Sequence, residues 1–357
     1  MKNKCILISY KNPSLISEIN ELVKAADYII KETYTQKRLS RTKFGIGSGK
    51  AQEIADYLEG NPVDVIIIDE KLSVSQIYNL TKITRTKVVD REKLILEIFA
   101  KRALTTEAKL QVKLAELKYD MPQIKEKVRL AKVGEQPGFY GLGQYEVEKM
   151  RLDLKKRIWH ITKKLEDISV RRELHRANRN KHKLYTITVA GYTSAGKTSL
   201  FNILTDEENI TSKGLFTTLT TTTRASKLFS NKILISDTVG FIRRLPTYMI
   251  KAFKSTLDDL VYSNLIILVI DLMDSKNEIQ SKYIECKTIM ESLGISNDKI
   301  IIACNKIDKI TKSEIKVKID FLNNNTANMF LISAKTGFGV KGMVSHITTY
   351  IDAIINN

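Results

Sequence analysis

The chain has 357 residues, of which 43% are hydrophobic and 27% are charged, and its formal net charge is +18. This length predicts two or three domains, and this composition excludes a largely disordered or fibrous chain. The positive charge predicts attraction to a polyanion, either nucleic acid or an anionic membrane surface.

Cysteine content and hydropathy indicate where in the cell the protein is expected. Cys5, Cys286 and Cys304 are widely separated and follow no metal-ligand spacing. They give no support to a disulfide framework or a zinc site, and they favour a reducing compartment. No apolar run reaches the length of a membrane span, and residues 1–10 lack the full pattern of a signal peptide. We therefore expect a cytoplasmic protein without a membrane span. The sequence gives no clear oligomer signal, and we expect a monomer.

Residues 1–92 alternate short apolar runs with amphipathic stretches. Residues 5–9 and 63–68 predict strands, and residues 15–26 and 51–58 predict helices, which is typical of an α/β domain with a parallel sheet. The segment 45–50 (GIGSGK) resembles a phosphate loop but lacks the first glycine and the final Ser or Thr. The pattern favours a glycine turn into a helix, and weak contact with an anion or RNA is the alternative.

Residues 93–182 predict a basic helical hairpin. Apolar side chains recur every three or four residues over 96–121 and 150–168, and a glycine-rich stretch separates the two runs. Residues 101–183 contain 22 Lys and Arg but only 11 Asp and Glu. This charge indicates either a solvated coiled coil or an RNA-binding surface. The candidate RNA contacts are Lys155, Lys156, Arg157, Lys163, Lys164, Arg171, Arg172, Arg176 and Arg179.

Trp159 and His160 lie within the second predicted helix of this hairpin. An indole buries a large apolar area, so packing of Trp159 against the α/β domain is the favoured interpretation. Stacking of these rings on bases is the alternative.

Residues 183–357 predict a second α/β domain that carries a phosphate loop. The apolar runs 184–190, 232–236, 265–270, 299–304 and 329–332 are typical of strands in a sheet covered on both faces. Residues 191–198 (GYTSAGKT) match the phosphate-loop pattern between a predicted strand and a predicted helix. Main-chain N–H groups of such a loop surround phosphates, Lys197 reaches the β- and γ-phosphates, and the Thr198 hydroxyl binds Mg²⁺.

Three later motifs complete a candidate guanine-nucleotide site. Asp237, at the end of a predicted strand, can hold Mg²⁺ directly or through water, and the N–H of Gly240 can reach the γ-phosphate. In residues 305–308 (NKID), the Asp308 carboxylate can accept the two adjacent N–H donors of guanine, which adenine does not offer. Asn305 can join this loop to the phosphate loop, and the Ala334 N–H can reach the guanine O6.

With these motifs, the chain resembles the HflX family of translation-associated GTPases. The resemblance is carried by segments 47–50 (GSGK), 98–103 (IFAKRA), 107–115 (EAKLQVKLA) and 216–219 (FTTL), and it covers residues 1–340. It implies an N-terminal α/β subdomain with a helical hairpin, joined to a Ras-like GTPase domain. It also implies that the hairpin contacts ribosomal RNA of the large subunit, that some members split stalled ribosomes, and that Thr218 binds Mg²⁺.

Phe241 directly follows Gly240, at the position where Ras-like enzymes have a glutamine that orients water. Phenylalanine cannot hydrogen-bond a water molecule. Either another group, the metal or the ribosome orients the water, or hydrolysis is slow. We expect low intrinsic turnover that the large ribosomal subunit raises. A purely structural role of Phe241 as an apolar anchor is compatible with this expectation.

The sequence thus predicts a subdomain 1–92, a hairpin 93–182 and a GTPase domain 183–357. Lys197, Thr218 and Gly240 are the predicted catalytic residues, and Thr198, Thr218 and Asp237 are the predicted Mg²⁺ site. The predicted contacts with GTP or GDP are Gly191, Tyr192, Thr193, Ser194, Ala195, Gly196, Lys197, Thr198, Phe216, Thr217, Thr218, Leu219, Thr220, Asp237, Thr238, Val239, Gly240, Asn305, Lys306, Ile307, Asp308, Ser333, Ala334 and Lys335. The alternatives to a ribosome-associated GTPase are an RNA-binding or assembly factor with incidental hydrolysis, and a switch that acts on a protein effector.

Overall fold

The computed structural model of the chain describes residues 3–124, 126, 140–181, 184–206, 222–229, 232–238, 240–323 and 328–356. The chain divides into two units, Met1–Asp167 and Ile168–Asn357. Each unit has its own sheet and its own apolar core. The predicted α/β fold class is confirmed, with a phosphate loop in the second unit.

The first unit contains a four-stranded parallel sheet of order β2-β1-β3-β4. The strands are β1 (Asn3–Tyr10), β2 (Tyr28–Gln36), β3 (Val65–Ile68) and β4 (Lys87–Asp90). The helices that connect them are α1 (Pro13–Ala25), α2 (Ser48–Gly60) and α3 (Val74–Thr84). Alternate side chains of β1 and β3, with Ile54 of α2, are completely buried in one core. The sequence predicted β1, β3, α1 and α2 but not β2, β4 or α3.

Polar side chains cap the first turns of two of these helices by accepting hydrogen bonds from main-chain N–H groups. The Asn12 side chain accepts from the amides of Ser14 and Leu15 before α1. Ser73 and Gln76 form a reciprocal capping box at the start of α3. Such caps pair N–H groups that have no partner within the helix, and each stabilises a helix by about 1 kcal/mol.

The helix predicted over 96–121 is wrong in one respect, because it is interrupted. The structure has α4 (Arg91–Arg102) and α5 (Thr106–Asp120) instead. Ala103 and Thr105 adopt extended backbone conformations, and the Thr105 side chain accepts from the Ala108 amide 3.2 Å away. Leu104, between them, is 83% exposed. A new N-cap therefore starts a second helix within an apolar stripe that is periodic throughout.

The second arm of the predicted hairpin is α6 (Tyr140–Lys181). Residues 125 and 127–139, which include most of the predicted tip, lie outside the described residues. Leu154, Ile158 and Ile161 are half-buried, as their spacing predicts, but Trp159 is 58% exposed. The predicted packing of Trp159 into the α/β domain is therefore wrong, because the indole lies off the apolar stripe of α6.

The second unit contains a six-stranded sheet of order β10-β9-β8-β5-β7-β6, in which β6 alone is antiparallel. Its strands are β5 (Tyr185–Gly191), β6 (Thr222–Ser226), β7 (Ile233–Asp237), β8 (Leu265–Asp271), β9 (Ile300–Asn305) and β10 (Met329–Leu331). Its helices are α7 (Lys197–Thr205), α8 (Thr247–Ala252), α9 (Lys254–Val261), α10 (Lys276–Ser292), α11 (Lys312–Asn323) and α12 (Val340–Asn356). Two apolar clusters cover the two faces of the sheet. All predicted strands are present, and β6 is an addition.

A buried ion cluster joins three elements of the first unit. Arg91, at the start of α4, donates to Asp69 across 2.6 Å and also to Glu18 of α1. Asp69 accepts a second bond, 2.9 Å long, from the Ser9 hydroxyl at the end of β1. The Arg91 side chain is only 4% exposed and that of Asp69 is fully buried. Removal of the guanidinium would leave two carboxylates buried without their cation.

We predict that Arg91→Ala lowers the unfolding free energy of the first unit by about 3–5 kcal/mol, because breaking a buried ion cluster strands its remaining charges. The measurement is urea-dependent hydrogen exchange of peptides that cover β1, β3 and β4. Lys101→Ala is the matched control, since its ion pair with Asp27 is largely exposed, and we expect a loss below about 1 kcal/mol. Equal losses in the two variants would refute the structural role of Arg91.

Candidate functional site

The predicted motifs of the second unit meet at one edge of its sheet. The segments that follow β5, β7, β9 and β10 leave the carboxyl ends of parallel strands, which lie at the same edge. In open α/β sheets, ligands bind outside this edge. The order of the sheet therefore brings together residues that are more than 140 positions apart in the sequence.

The phosphate loop turns from β5 directly into α7. Gly196 has φ +97°, and a β-carbon on it would lie 2.3 Å from Asn305 Nδ2, so the loop requires glycine there. No side chain caps the start of α7, whose first N–H groups have no partner within the helix. Lys197 Nζ donates to the Tyr192 carbonyl across 2.8 Å. Burial lowers the pKa of Lys197, and the nearby charge of Asp237 opposes this effect.

Two side chains with oxygen atoms that could bind a metal lie side by side, Thr198 at the start of α7 and Asp237 at the end of β7. The Thr198 hydroxyl donates to Asp237 Oδ2 across 3.0 Å. A hydroxyl and a carboxylate are ligands that suit Mg²⁺, which prefers oxygen. The buried hydroxyl of Thr238, the residue after β7, donates to the Val189 carbonyl of β5 across 2.9 Å.

The segment after β7 is clamped to the phosphate loop by main-chain hydrogen bonds. The Phe241 N–H donates to the Gly191 carbonyl across 3.0 Å, and the Thr193 N–H donates to the Phe241 carbonyl across 2.9 Å. The Phe241 ring is 2% exposed and belongs to the apolar cluster that contains Leu257 and Leu260. Phe241 is therefore an apolar anchor, and its side chain cannot orient a water molecule.

At the other end of the site, Asn305 joins two loops. Its Nδ2 donates to the Ala195 carbonyl and its Oδ1 accepts from the Ala334 amide, both across 2.8 Å. The first contact is the predicted link to the phosphate loop. The Ala334 N–H, which we expected at the guanine O6, is bonded to Asn305 here.

Asp308 lies beside the segment that follows β10. The Ser333 hydroxyl donates to Asp308 Oδ1 across 2.7 Å, and this bond lowers the pKa of Asp308 below its usual value. Lys306, whose φ is +69°, forms an ion pair with Asp271 at the end of β8. Asp308 therefore stays ionised at neutral pH and can only accept hydrogen bonds.

Contacts made by α10 were not predicted. Lys282 Nζ lies 2.7 Å from Asp274 Oδ2 and 5.0 Å from the centre of the Tyr192 ring in the phosphate loop. Glu285, one turn further, accepts from the Arg244 amide across 2.7 Å. The contacts with Tyr192 and Arg244 join positions that are 90 and 41 residues apart. No local pattern in the sequence could have indicated them.

The remaining predicted residues divide into two groups. Ser194 is exposed, Ile307 is half-buried and Lys335 is exposed at the same edge of the sheet. Phe216, Thr217, Thr218, Leu219, Thr220 and Val239 lie outside the described residues. Across the described part of the chain, no group of three or more His, Cys, Asp or Glu side chains could hold a metal ion.

Comparison with known proteins identifies the family. Residues 14–100, 102–179 and 186–306 match models described as "GTP-binding GTPase N-terminal", "GTP-binding GTPase Middle Region" and "50S ribosome-binding GTPase". GTPase HflX of Methanocaldococcus jannaschii is 44% identical over 90% of this chain and 79% of its own. The chain belongs to the HflX family of GTPases. GTPase HflX of Thermofilum pendens is 38% identical over 92% of this chain and 77% of its own.

Solved structures agree with this family membership. A GTP-binding protein from Sulfolobus solfataricus in complex with GDP is 28% identical, with a TM-score of 0.54 over 98% of this chain and 99% of that one. Another solved structure, an SsGBP and GDP complex, is 29% identical with a TM-score of 0.58 over the same shares. This HflX-family member is therefore a GTP-hydrolysing enzyme that binds guanine nucleotides. No helix in the described ranges is both long and apolar enough to cross a membrane.

We predict that Gly240→Ala weakens GTP binding about tenfold or more but changes GDP binding less than about threefold. The added β-carbon would lie 2.8 Å from Lys197 Nζ and 2.8 Å from Thr193 Cγ2, so residue 240 would have to shift. Its N–H would then leave the position expected at the γ-phosphate, which GDP lacks. Titration with fluorescent GTP and GDP analogues measures both affinities.

The matched control is Gly342→Ala, because a β-carbon on Gly342 of α12 would contact no other group. We expect this variant to bind both nucleotides like the unchanged protein. If Gly240→Ala did the same, the position of Gly240 beside the phosphates would be wrong.

Proposed function

We propose that this HflX-family GTPase is Mg²⁺-dependent and associates with the large ribosomal subunit, where GTP controls its grip on ribosomal RNA. The observation that carries the nucleotide part is the convergence of the phosphate loop, the Thr198–Asp237 pair and the Asn305–Ala334 link at one edge. The proposal assigns the nucleotide to a domain 183–357 and RNA binding to the subdomain 1–92 with the hairpin 93–182. The matched ranges 14–100, 102–179 and 186–306 support this division.

Each residue of the phosphate end has a separate task in this proposal. Lys197 binds the β- and γ-phosphates, and the Gly240 N–H donates to the γ-phosphate. Thr198, Thr218 and Asp237 hold Mg²⁺, with Asp237 acting directly or through water. When bound, the ion neutralises charge that develops on the phosphate oxygens. The hydroxyl and carboxylate 3.0 Å apart support this assignment for Thr198 and Asp237.

Slow hydrolysis by the isolated chain follows from the position of Phe241. Its ring is buried in the apolar cluster, so this position supplies no group that can orient the attacking water. We propose that contact with the large subunit raises the rate. Fast single-turnover hydrolysis without ribosomes would contradict this part of the proposal.

The base end selects guanine through Asp308. Its lowered pKa keeps the carboxylate ionised, and an ionised carboxylate matches the adjacent N1–H and N2–H donors of guanine. Adenine would place its N1 acceptor opposite the carboxylate in place of these donors, which is costly.

We predict that Asp308→Asn weakens GTP binding about a hundredfold or more, and that xanthosine triphosphate then binds better than GTP, because xanthine presents an acceptor where guanine has a donor. Calorimetry with GTP, ATP and xanthosine triphosphate measures the change. Asp320→Asn is the control, since Asp320 is 77% exposed and its partner Lys276 is 4.0 Å away. Unchanged GTP affinity of Asp308→Asn would remove Asp308 from the base pocket.

The RNA part of the proposal rests on the surface of α6. Lys155, Lys156, Lys163 and Lys164 are exposed, and Lys163 Nζ lies 5.2 Å from the centre of the exposed Trp159 ring. Cations beside an exposed indole suit a strand of RNA, since cations neutralise phosphates and aromatic rings stack on bases. This arrangement favours the base-stacking interpretation of Trp159.

We propose a cytoplasmic monomer that is partly bound to ribosomes.

We predict that a variant with Lys155, Lys156, Lys163 and Lys164 changed to Gln binds purified large subunits about tenfold more weakly, with a reduced dependence on salt. Co-sedimentation with GTP, GDP and a non-hydrolysable analogue measures binding, and sedimentation of intact ribosomes measures splitting. The control variant changes the exposed Lys227, Lys312, Lys316 and Lys341 to Gln.

The same experiment separates the alternatives. Binding to subunits without GTP-dependent splitting of ribosomes supports an assembly or RNA-binding factor. Binding to ribosomal material that survives ribonuclease, with no loss in the α6 variant, supports a switch that acts on a protein effector and overturns the proposal.

A further inference from the structure

A cationic loop extends from the end of β2 into the first turn of α2 in the first unit, whose sheet the nucleotide site does not use. We define it as residues 37–50 (KRLSRTKFGIGSGK). Five of its fourteen side chains are basic and none is acidic. The basic residues are Lys37, Arg38, Arg41, Lys43 and Lys50. The acid-free stretch extends from residue 33 to residue 52.

Hydrogen bonds from α3 hold the cationic loop in one conformation. Gln76 Nε2 donates to the carbonyls of Ser40 and Thr42, both across 2.8 Å, and Asn79 Nδ2 donates to the Lys43 carbonyl across 3.2 Å. Within the loop, the Ser40 amide donates to the Gly45 carbonyl across 2.8 Å. The backbone that carries the charges is therefore fixed before any partner arrives, which lowers the entropy cost of binding.

The apolar residues of the cationic loop point inward. Leu39 is 2% exposed and Ile46 is fully buried, both in the core that contains Ile8 and Ile54. Phe44 is half-buried against the same core. The loop thus presents charge without an apolar side chain that could insert into a lipid bilayer, and insertion is what anchors a basic surface to a membrane.

The cations of the loop are available to a partner. Lys37, Arg38, Arg41 and Lys43 are exposed, and in the described part of the chain none of the four lies within ion-pair distance of a carboxylate. Lys43 approaches the Phe44 ring at 5.6 Å. Lys50 differs, because its Nζ donates to the Thr35 carbonyl across 3.2 Å. Lys11, which is also exposed, follows β1 and is hydrogen-bonded through its amide to Gln36.

We propose that the cationic loop is a second RNA-binding surface of this chain, which contacts the sugar–phosphate backbone through Lys37, Arg38, Arg41 and Lys43. A polyanion is the partner that matches several fixed, unneutralised cations on a loop without acidic residues. RNA is favoured over a membrane because the loop has no inserting side chain. The choice of RNA rests on the proposed association with ribosomes, but the loop contacts do not depend on α6.

The test uses the full chain and a fluorescein-labelled RNA stem-loop over a range of salt concentrations. The loop variant changes Lys37, Arg38, Arg41 and Lys43 to Gln, and the control variant changes Lys227, Lys312, Lys316 and Lys341 to Gln. Each phosphate contact contributes about 0.7–0.9 to the slope of log affinity against log salt. We therefore expect the loop variant to lose about three units of slope and at least about tenfold in affinity, and the control to lose neither.

A second set of measurements separates this proposal from the one for α6. The loop substitutions are combined with the four Lys-to-Gln changes of α6, and the losses are compared. A loss caused by the loop variant in both backgrounds supports the cationic loop, even if the α6 variant binds RNA normally. Nucleotide affinity and circular dichroism confirm that each variant is folded.

Two results would overturn the proposal. One is RNA affinity and salt slope in the loop variant equal to those of the control variant. The other is loss of binding to phosphatidylserine-containing vesicles with RNA binding unchanged, which would make the loop a membrane contact.

Discussion

The buried carboxamide of Asn305 connects the two ends of the candidate site. One side chain donates to the phosphate loop and accepts from the segment after β10, so a single planar group sets the spacing between the residues for the phosphates and those for the base. Asn305 is 2% exposed, and unpaired amide groups in such a position would cost about 1–3 kcal/mol each. The requirement for glycine at position 196 follows, because a β-carbon there would meet the Asn305 nitrogen.

A second constraint comes from Phe241. Two main-chain hydrogen bonds fasten it to the phosphate loop, and its ring is buried in the core below. The segment that begins at Gly240 is therefore attached at a fixed point close to Lys197. Through Lys282 and Glu285, α10 contacts both this segment and the phosphate loop. Both elements therefore contact the same helix.

The sequence was most informative where one physical requirement dominates. Continuous apolar runs predicted the central strands, and glycine and lysine spacing predicted the phosphate loop, because buried sheets and bound phosphates tolerate few alternatives. The edge strands β2, β4 and β6 were missed, since β2 (YIIKETYTQ) and β6 (TTRAS) are largely polar and β4 (KVVD) has only four residues. The break at Thr105 was hidden by an apolar stripe that continues across it. The contact of Lys282 with Tyr192 depends on the tertiary fold alone.

Gln76 connects the start of α3 to the cationic loop in the first unit. Its oxygen closes the capping box of α3 and its nitrogen holds two carbonyls of the cationic loop. The loop is thus attached to the first turn of a helix whose Leu80 is completely buried in the core. One carboxamide thus joins the cap of a helix to the surface loop, and shortening this side chain by one carbon to Asn would leave the loop attached through Asn79 and through its buried Leu39 and Ile46.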